Sequence, residues 1–171
     1  MYDKTLKTKP FFLSKIDEEP FQKFAELLYE HDGNIHIFLE SGGGSVSHFY
    51  ALLDLINENA HRVRITAVRY IYSSAFALFV MAKCEKVVTN ETIGMLHLPR
   101  FEKDVFTNGK FLLEEHEKKC LQNNQDDKES IEKILKSCSL SNKQIKQFHA
   151  GHDLHFTTNE IRAIIQKYCE I

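Results

Sequence analysis

The segment IHIFLESGGGSV, residues 35–46, decides the fold of this chain because a strand pattern passes into a helix pattern through three glycines. Ile35, Ile37 and Leu39 alternate with residues of other types, which is typical of a strand with one buried face. From Val46 onward, apolar residues recur at helical spacing. A strand that leads through a tight turn into a helix is the unit from which parallel sheets are built.

The same alternation continues on both sides of this segment. Further strands are predicted at residues 11–13, 63–67, 86–88 and 95–98. Helices are predicted at residues 18–31, 46–56 and 74–82, after the capping serine Ser141, and after the capping box at 157–160. This order predicts an α/β fold with a mostly parallel sheet flanked by helices, in one domain over residues 1–171.

Residues 100–140 differ in character from the rest of the predicted domain. Asn108 and Gly109 form a turn signal between apolar pieces, and residues 114–135 are highly charged. We therefore expect a projecting strand-and-helix handle, inserted into the compact domain.

The composition excludes several classes of protein. With 171 residues, 43% hydrophobic and 27% charged, the chain has the make-up of a globular domain. A net charge of −2 argues against a nucleic-acid partner. The most apolar stretch, 70–82, is shorter than the roughly 20 residues that span a bilayer, so no membrane partner is expected. Four separated cysteines and no signal peptide predict a reducing, cytoplasmic location.

Several residues that could carry chemistry stand where strands are predicted to end. Ser73 and Ser74 precede the apolar helix, where a serine either caps the helix or is held as a nucleophile. His97 is either a core residue or a general base. The glycines at 42–44 form either a plain tight turn or an anion site made of backbone N–H groups. Taken singly, these features leave both alternatives open.

Histidines are frequent near the end of the chain, at His149, His152 and His155. Gly151 would break a helix that aligned them, so no metal site is predicted. Asp153 is better suited to orient a histidine. Because the sequence has no phosphate-binding loop, no nucleotide or other cofactor is predicted.

Taken together, these motifs occur in an order that resembles the proteolytic subunit of Clp protease. Its relatives on the crotonase-like fold, signal-peptide peptidase A and the NfeD-type serine peptidases, share that order. Residues 35–46 are similar to the family's I-x-L-x-I-N-S-P-G-G-S-V, with Gly42 in place of proline. MLHLP at 95–99 is similar to M-I-H-x-P, and residues 153–160 match D-x-x-x-[ST]-x-x-E. The resemblance runs from about residue 11 to residue 165.

The resemblance implies a Ser-His-Asp triad. Ser74 would be the nucleophile, His97 the general base and Asp153 the group that orients the imidazole. The N–H groups of Gly44 and Ala75 would form the oxyanion hole.

Two positions near the serine motif need separate mention. The register of the motif favours Ser74, and Ser73 remains the alternative nucleophile. Phe76 stands where relatives usually have glycine, and would narrow the space behind the nucleophile.

The resemblance also implies how the protein works in a larger assembly. We expect a homo-oligomeric ring that encloses the active sites, with the handle at a subunit interface. The substrate would be a peptide or unfolded protein, delivered by a separate AAA+ ATPase. The alternative is a catalytically inactive Clp-like scaffold or binding subunit.

Overall fold

The structure, a computed structural model, describes residues 6–97, 132, 134–136, 138 and 140–168. The predicted handle therefore lies almost entirely outside the described residues. The elements in chain order are β1 (Thr8–Leu13), α1 (Glu18–Glu30), β2 (Asn34–Ser41), α2 (Val46–Glu58), β3 (Val63–Tyr72), α3 (Ser74–Met81), β4 (Glu85–Val88), β5 (Ile93–Leu96), α4 (Asn142–His149), β6 (Leu154–Phe156) and α5 (Thr158–Tyr168).

One mostly parallel sheet organises these elements. The strand order is β1-β2-β3-β5-β6, and β4 also pairs with β3. The pairs β1–β2, β2–β3, β3–β4 and β3–β5 are parallel, whereas β5–β6 is antiparallel. The α/β fold predicted from the sequence is thus confirmed.

Besides β2, strand β3 pairs with two further strands. Its first part, Arg64–Ala67, pairs with β4, and its last part, Tyr70–Tyr72, pairs with β5. Between these parts the register with β2 shifts, and Arg69 has a φ of 53°. Such a bulge increases the local twist of a strand. It separates the β4-paired part of β3 from the β5-paired part that leads into α3.

The core lies between one face of the sheet and the helices. Along β2, Ile35, Ile37 and Leu39 are buried, and the alternate residues His36 and Phe38 are only half-buried. Helix α3 is buried at every residue from 75 to 80, as expected for the apolar segment. Each large apolar side chain buried in this way contributes about 1.5–3 kcal/mol.

Arg62 stabilises the end of α1 and the entry into β2. Its guanidinium donates hydrogen bonds to the carbonyl oxygens of Leu28 (2.9 Å), Gly33 (3.4 Å) and His31, and to the Asn59 side chain (3.1 Å). The last carbonyls of a helix lack partners within the helix. One side chain, from the residue just before β3, therefore fixes both the helix end and the turn after it.

The C-terminal part combines confirmed and missed elements. The capping boxes at Ser141–Gln144 and Thr157–Glu160 are both formed. Strand β6 was not predicted, because residues 149–155 show frequent histidines and no strand pattern. Over the part of the chain described, no helix is long and apolar enough to cross a membrane.

Candidate active site

The glycine turn after β2 is held by hydrogen bonds to a distant residue. The Ile16 N–H donates to the Gly43 carbonyl (3.1 Å), and the Ser45 N–H donates to the Ile16 carbonyl (2.7 Å). Within the turn, the Gly43 N–H donates to the buried Ser41 hydroxyl (3.0 Å). The turn is therefore a fixed structure, pinned by the chain just before α1.

The three glycines of the turn have different roles. Gly43 and Gly44 have φ values of 98° and 152°, in the range that side chains rarely adopt. A Cβ atom at Gly44 would lie 2.1 Å from the Ile16 carbonyl oxygen. A Cβ atom at Gly42 would meet nothing within 4 Å. Glycine is required at two of the three positions.

Ser73 lies at the junction of β3 and α3 in a strained conformation. Its φ is 56° and its ψ is −128°, and its N–H donates to the Met95 carbonyl at 2.7 Å. Its side chain makes no capping hydrogen bond, so the simple capping interpretation is wrong for this serine. A strained strand-to-helix turn is where α/β-hydrolases hold their nucleophilic serine, and backbone strain is common at active sites.

Ser74 is the first residue of α3 and also contacts the glycine turn. Its hydroxyl donates a hydrogen bond to the Gly44 carbonyl at 3.3 Å. A Cβ atom built on Gly43 would lie 3.1 Å from the Ser74 hydroxyl and 2.8 Å from the Ser73 Cβ atom. Both serines thus pack against the turn.

Two backbone N–H groups of the segments that meet at this junction have no hydrogen-bond acceptor in the part of the chain that the structure describes. Ala75 is in the first turn of α3, where N–H groups have no acceptor within the helix. Among the described residues, no protein group accepts a hydrogen bond from the N–H of Ala75 or of Gly44. Two N–H donors are available beside the serines, one from each side of the junction.

The sheet brings His97 and Asp153 towards each other. In the antiparallel pair of β5 and β6, Leu96 is opposite Leu154. His97 follows Leu96 directly, and Asp153 directly precedes Leu154. The two half-buried residues therefore follow directly on the last residue pair of this antiparallel ladder, at the same end of the two strands.

The same end of the sheet carries the serines. In the parallel pair of β3 and β5, Tyr72 is opposite Met95, so the chain reaches Ser73 and Ser74 beside the stretch that leads to His97. The topology therefore brings the glycine turn, the two serines, the histidine and the aspartate to the same end of the strands.

The family model for Clp protease matches residues 2–159. The chain belongs to the Clp protease family. The matched range includes all six strands, the glycine turn, both serines, His97 and Asp153. No curated protein matches the chain.

Phe76 lies in α3, two residues after Ser74. Its ring is fully buried and stacks on Phe156 of β6, with centroids 4.6 Å apart and planes 12° apart. A Cβ atom at Gly94 would lie 2.7 Å from two atoms of the Phe76 ring. The contacts of Phe76 with Phe156 and Gly94 were not predicted from the sequence. A large side chain beside a glycine in the next strand was the available signal.

The C-terminal histidines and Cys138 do not extend this candidate site. His149 ends α4, His152 precedes β6 and His155 lies in β6, so they do not share a helix face. In the described ranges, no three potential ligands are close enough together to hold a metal ion. Burial raises the pKa of the Cys138 thiol to about 12, so Cys138 is not a nucleophile at neutral pH.

Proposed function

We propose that this member of the Clp protease family is a serine peptidase in which Ser74, His97 and Asp153 form the triad. The observation that carries the proposal is that two N–H groups without an acceptor among the described residues, those of Gly44 and Ala75, belong to the turn and the helix start that meet at the serines. Peptide hydrolysis needs such donors, because the carbonyl oxygen becomes an anion in the tetrahedral intermediate.

The proposed mechanism follows from these positions. Ser74 attacks the scissile carbonyl as neutral His97 takes its proton, and Asp153 keeps the imidazole in the required tautomer. His97 then gives the proton to the leaving amine, and water hydrolyses the acyl-enzyme by the reverse sequence of proton transfers. No metal or nucleotide takes part in these steps.

The Ser74 hydroxyl has to turn before it can react. A serine has one proton to donate, and in the resting arrangement it goes to the Gly44 carbonyl over 3.3 Å. This long hydrogen bond is weak, so we propose that the hydroxyl rotates to His97 when substrate binds. The same bond is the observation that favours the second candidate, an inactive scaffold or binding subunit, in which the hydroxyl never leaves Gly44.

A pair of serine variants tests the proposal. Ser74→Ala should abolish turnover of a peptide or ester and labelling by a fluorophosphonate probe, with unchanged thermal stability, because only one hydroxyl is removed. Ser73→Ala is the matched control one residue away. Loss of labelling in Ser73→Ala alone would move the nucleophile to Ser73. A folded wild-type protein that is never labelled would favour the inactive scaffold.

The assembly is part of the same proposal. We propose a homo-oligomeric ring that encloses the sites, with the handle at about 100–140 in the interface. Substrates would be peptides or unfolded proteins, supplied by a separate AAA+ ATPase in the cytoplasm. Light scattering tests the ring, since a species near the chain mass of 19.9 kDa at micromolar concentration would contradict it.

A further inference from the structure

One buried aromatic ring touches the elements that carry all three proposed triad residues. Phe76 is in α3, two residues after Ser74. It stacks on Phe156 of β6, three residues after Asp153 in the sequence. Its ring also fills the space above Gly94 in β5, the strand that ends just before His97.

We infer that Phe76 is a positioning residue that fixes the separations between the serine, histidine and aspartate. This inference rests on the proposed function. Phe76 has no exposed surface, so it cannot touch a substrate, and its effect would have to pass through the elements it joins. A rigid ring held on two sides allows those elements little freedom to slide.

The packing around Gly94 makes the arrangement specific. Any side chain at position 94 would collide with the Phe76 ring at 2.7 Å and would approach Ile161 of α5 at 3.2 Å. The large residue in α3 and the missing side chain in β5 therefore form one fitted contact. Its removal would let β6, a strand of three residues paired with β5, shift relative to α3.

The expected effect on catalysis is large because triad geometry is demanding. A displacement of about 1 Å can reduce a rate about 100-fold, even when its cause is remote from the chemistry. Phe76→Leu removes the ring that stacks on Phe156 and leaves space beside Gly94. We expect kcat to fall 10- to 100-fold with KM within about twofold, since the substrate contacts are unchanged.

Phe24 supplies a matched control. It is also a fully buried phenylalanine in a helix, α1, and it packs against Phe11 of β1 with ring centroids 5.2 Å apart. Phe24→Leu removes the same atoms from the core at a different helix–strand contact. A structural role alone predicts that the two variants lose similar stability and similar activity.

The first experiment compares kcat, KM and the thermal midpoint of the two variants, at a temperature where both are folded. A fall in kcat in Phe76→Leu, with kcat of Phe24→Leu within about threefold of wild type, supports the inference. Equal losses, or no loss in Phe76→Leu, overturn it. If Phe76→Leu does not fold, Phe76→Met carries the comparison.

A second measurement separates this inference from the proposed function. In protein with ¹³C-labelled histidines, the NMR signal of His97 is identified as the one that disappears in His97→Gln. The signal should move in Phe76→Leu and stay in place in Phe24→Leu, whether or not the wild type hydrolyses peptides. An inert wild type with this result refutes only the proposed function. An unmoved His97 signal in Phe76→Leu, with an active wild type, refutes only the positioning role.

Discussion

Replacing Gly44 by alanine should damage both the fold and the proposed oxyanion hole. The new Cβ atom would lie 2.1 Å from the Ile16 carbonyl oxygen, and Cβ contacts under 3.0 Å are essentially never seen, so the two must separate by about 0.9 Å. That movement stretches the hydrogen bonds of Ile16 with Gly43 and Ser45.

The expected magnitude follows from these contacts. Each lost hydrogen bond costs about 0.5–1.5 kcal/mol, and the positive φ costs a residue with a side chain about 1–2 kcal/mol. Gly44→Ala should therefore lower the free energy of unfolding by about 2–5 kcal/mol. Because the Gly44 N–H moves as well, turnover should fall at least about 100-fold, the usual cost of one oxyanion donor.

Gly42→Ala is the control within the same turn. A Cβ atom there meets nothing within 4 Å, so stability should change by less than about 0.5 kcal/mol and activity should remain. Urea denaturation followed by circular dichroism, and ester hydrolysis without urea, measure the two effects. Equal destabilisation by both substitutions, or a cost under about 1 kcal/mol for Gly44→Ala, would refute the reasoning.

Four further predictions concern single residues. Ser73→Gly should raise the unfolding free energy by about 1 kcal/mol in urea titrations, because glycine adopts a φ of 56° without strain. Arg62→Ala should lower it by about 2–4 kcal/mol, since several carbonyls lose a charged donor, and a loss under about 0.5 kcal/mol would contradict this. Burial, and to a lesser extent the charge of Arg64, lowers the pKa of His36 below 6.5, so the unfolded chain binds this proton more readily than the folded chain. The free energy of unfolding should therefore decrease as the pH falls through 6.5. His36→Gln should weaken this pH dependence, as urea midpoints measured at several pH values would show. Cys138, with its pKa raised to about 12, should resist iodoacetamide at pH ~8 until urea unfolds the chain, as peptide mapping by mass spectrometry would show.

The strand-and-helix alternation could be predicted because it depends on local patterns. Alternating residues in β2 and the continuous apolar run of α3 each identify an element without knowledge of its neighbours. Strand β6 could not be found in this way. It has only three residues, too few to show a periodic pattern. Its partner is β5, and the paired residues Leu96 and Leu154 are 58 positions apart in the sequence, so no local pattern indicates the pairing.

The candidate site was predicted residue by residue through the family resemblance, and its physical details required the fold. Three consecutive glycines at 42–44 cannot be distinguished in the sequence. In the structure, a side chain at Gly43 or Gly44 would collide with Ser73 or Ile16, whereas a side chain at Gly42 would not. Two adjacent serines likewise look equivalent in the sequence. In the structure they differ, because Ser73 has a strained backbone and the Ser74 hydroxyl donates a hydrogen bond to the Gly44 carbonyl.

The order in which strands join the sheet has a consequence for synthesis of the chain. Along the path β1-β2-β3-β5-β6, each strand lies next to one made earlier, so the sheet can grow at one edge while the protein leaves the ribosome. Among the strands that the structure describes, the last to be synthesised is β6, which follows Asp153. A nascent chain would carry Ser74 and His97 before Asp153, the third proposed group, and the proposed triad could be assembled only after β6 has been made.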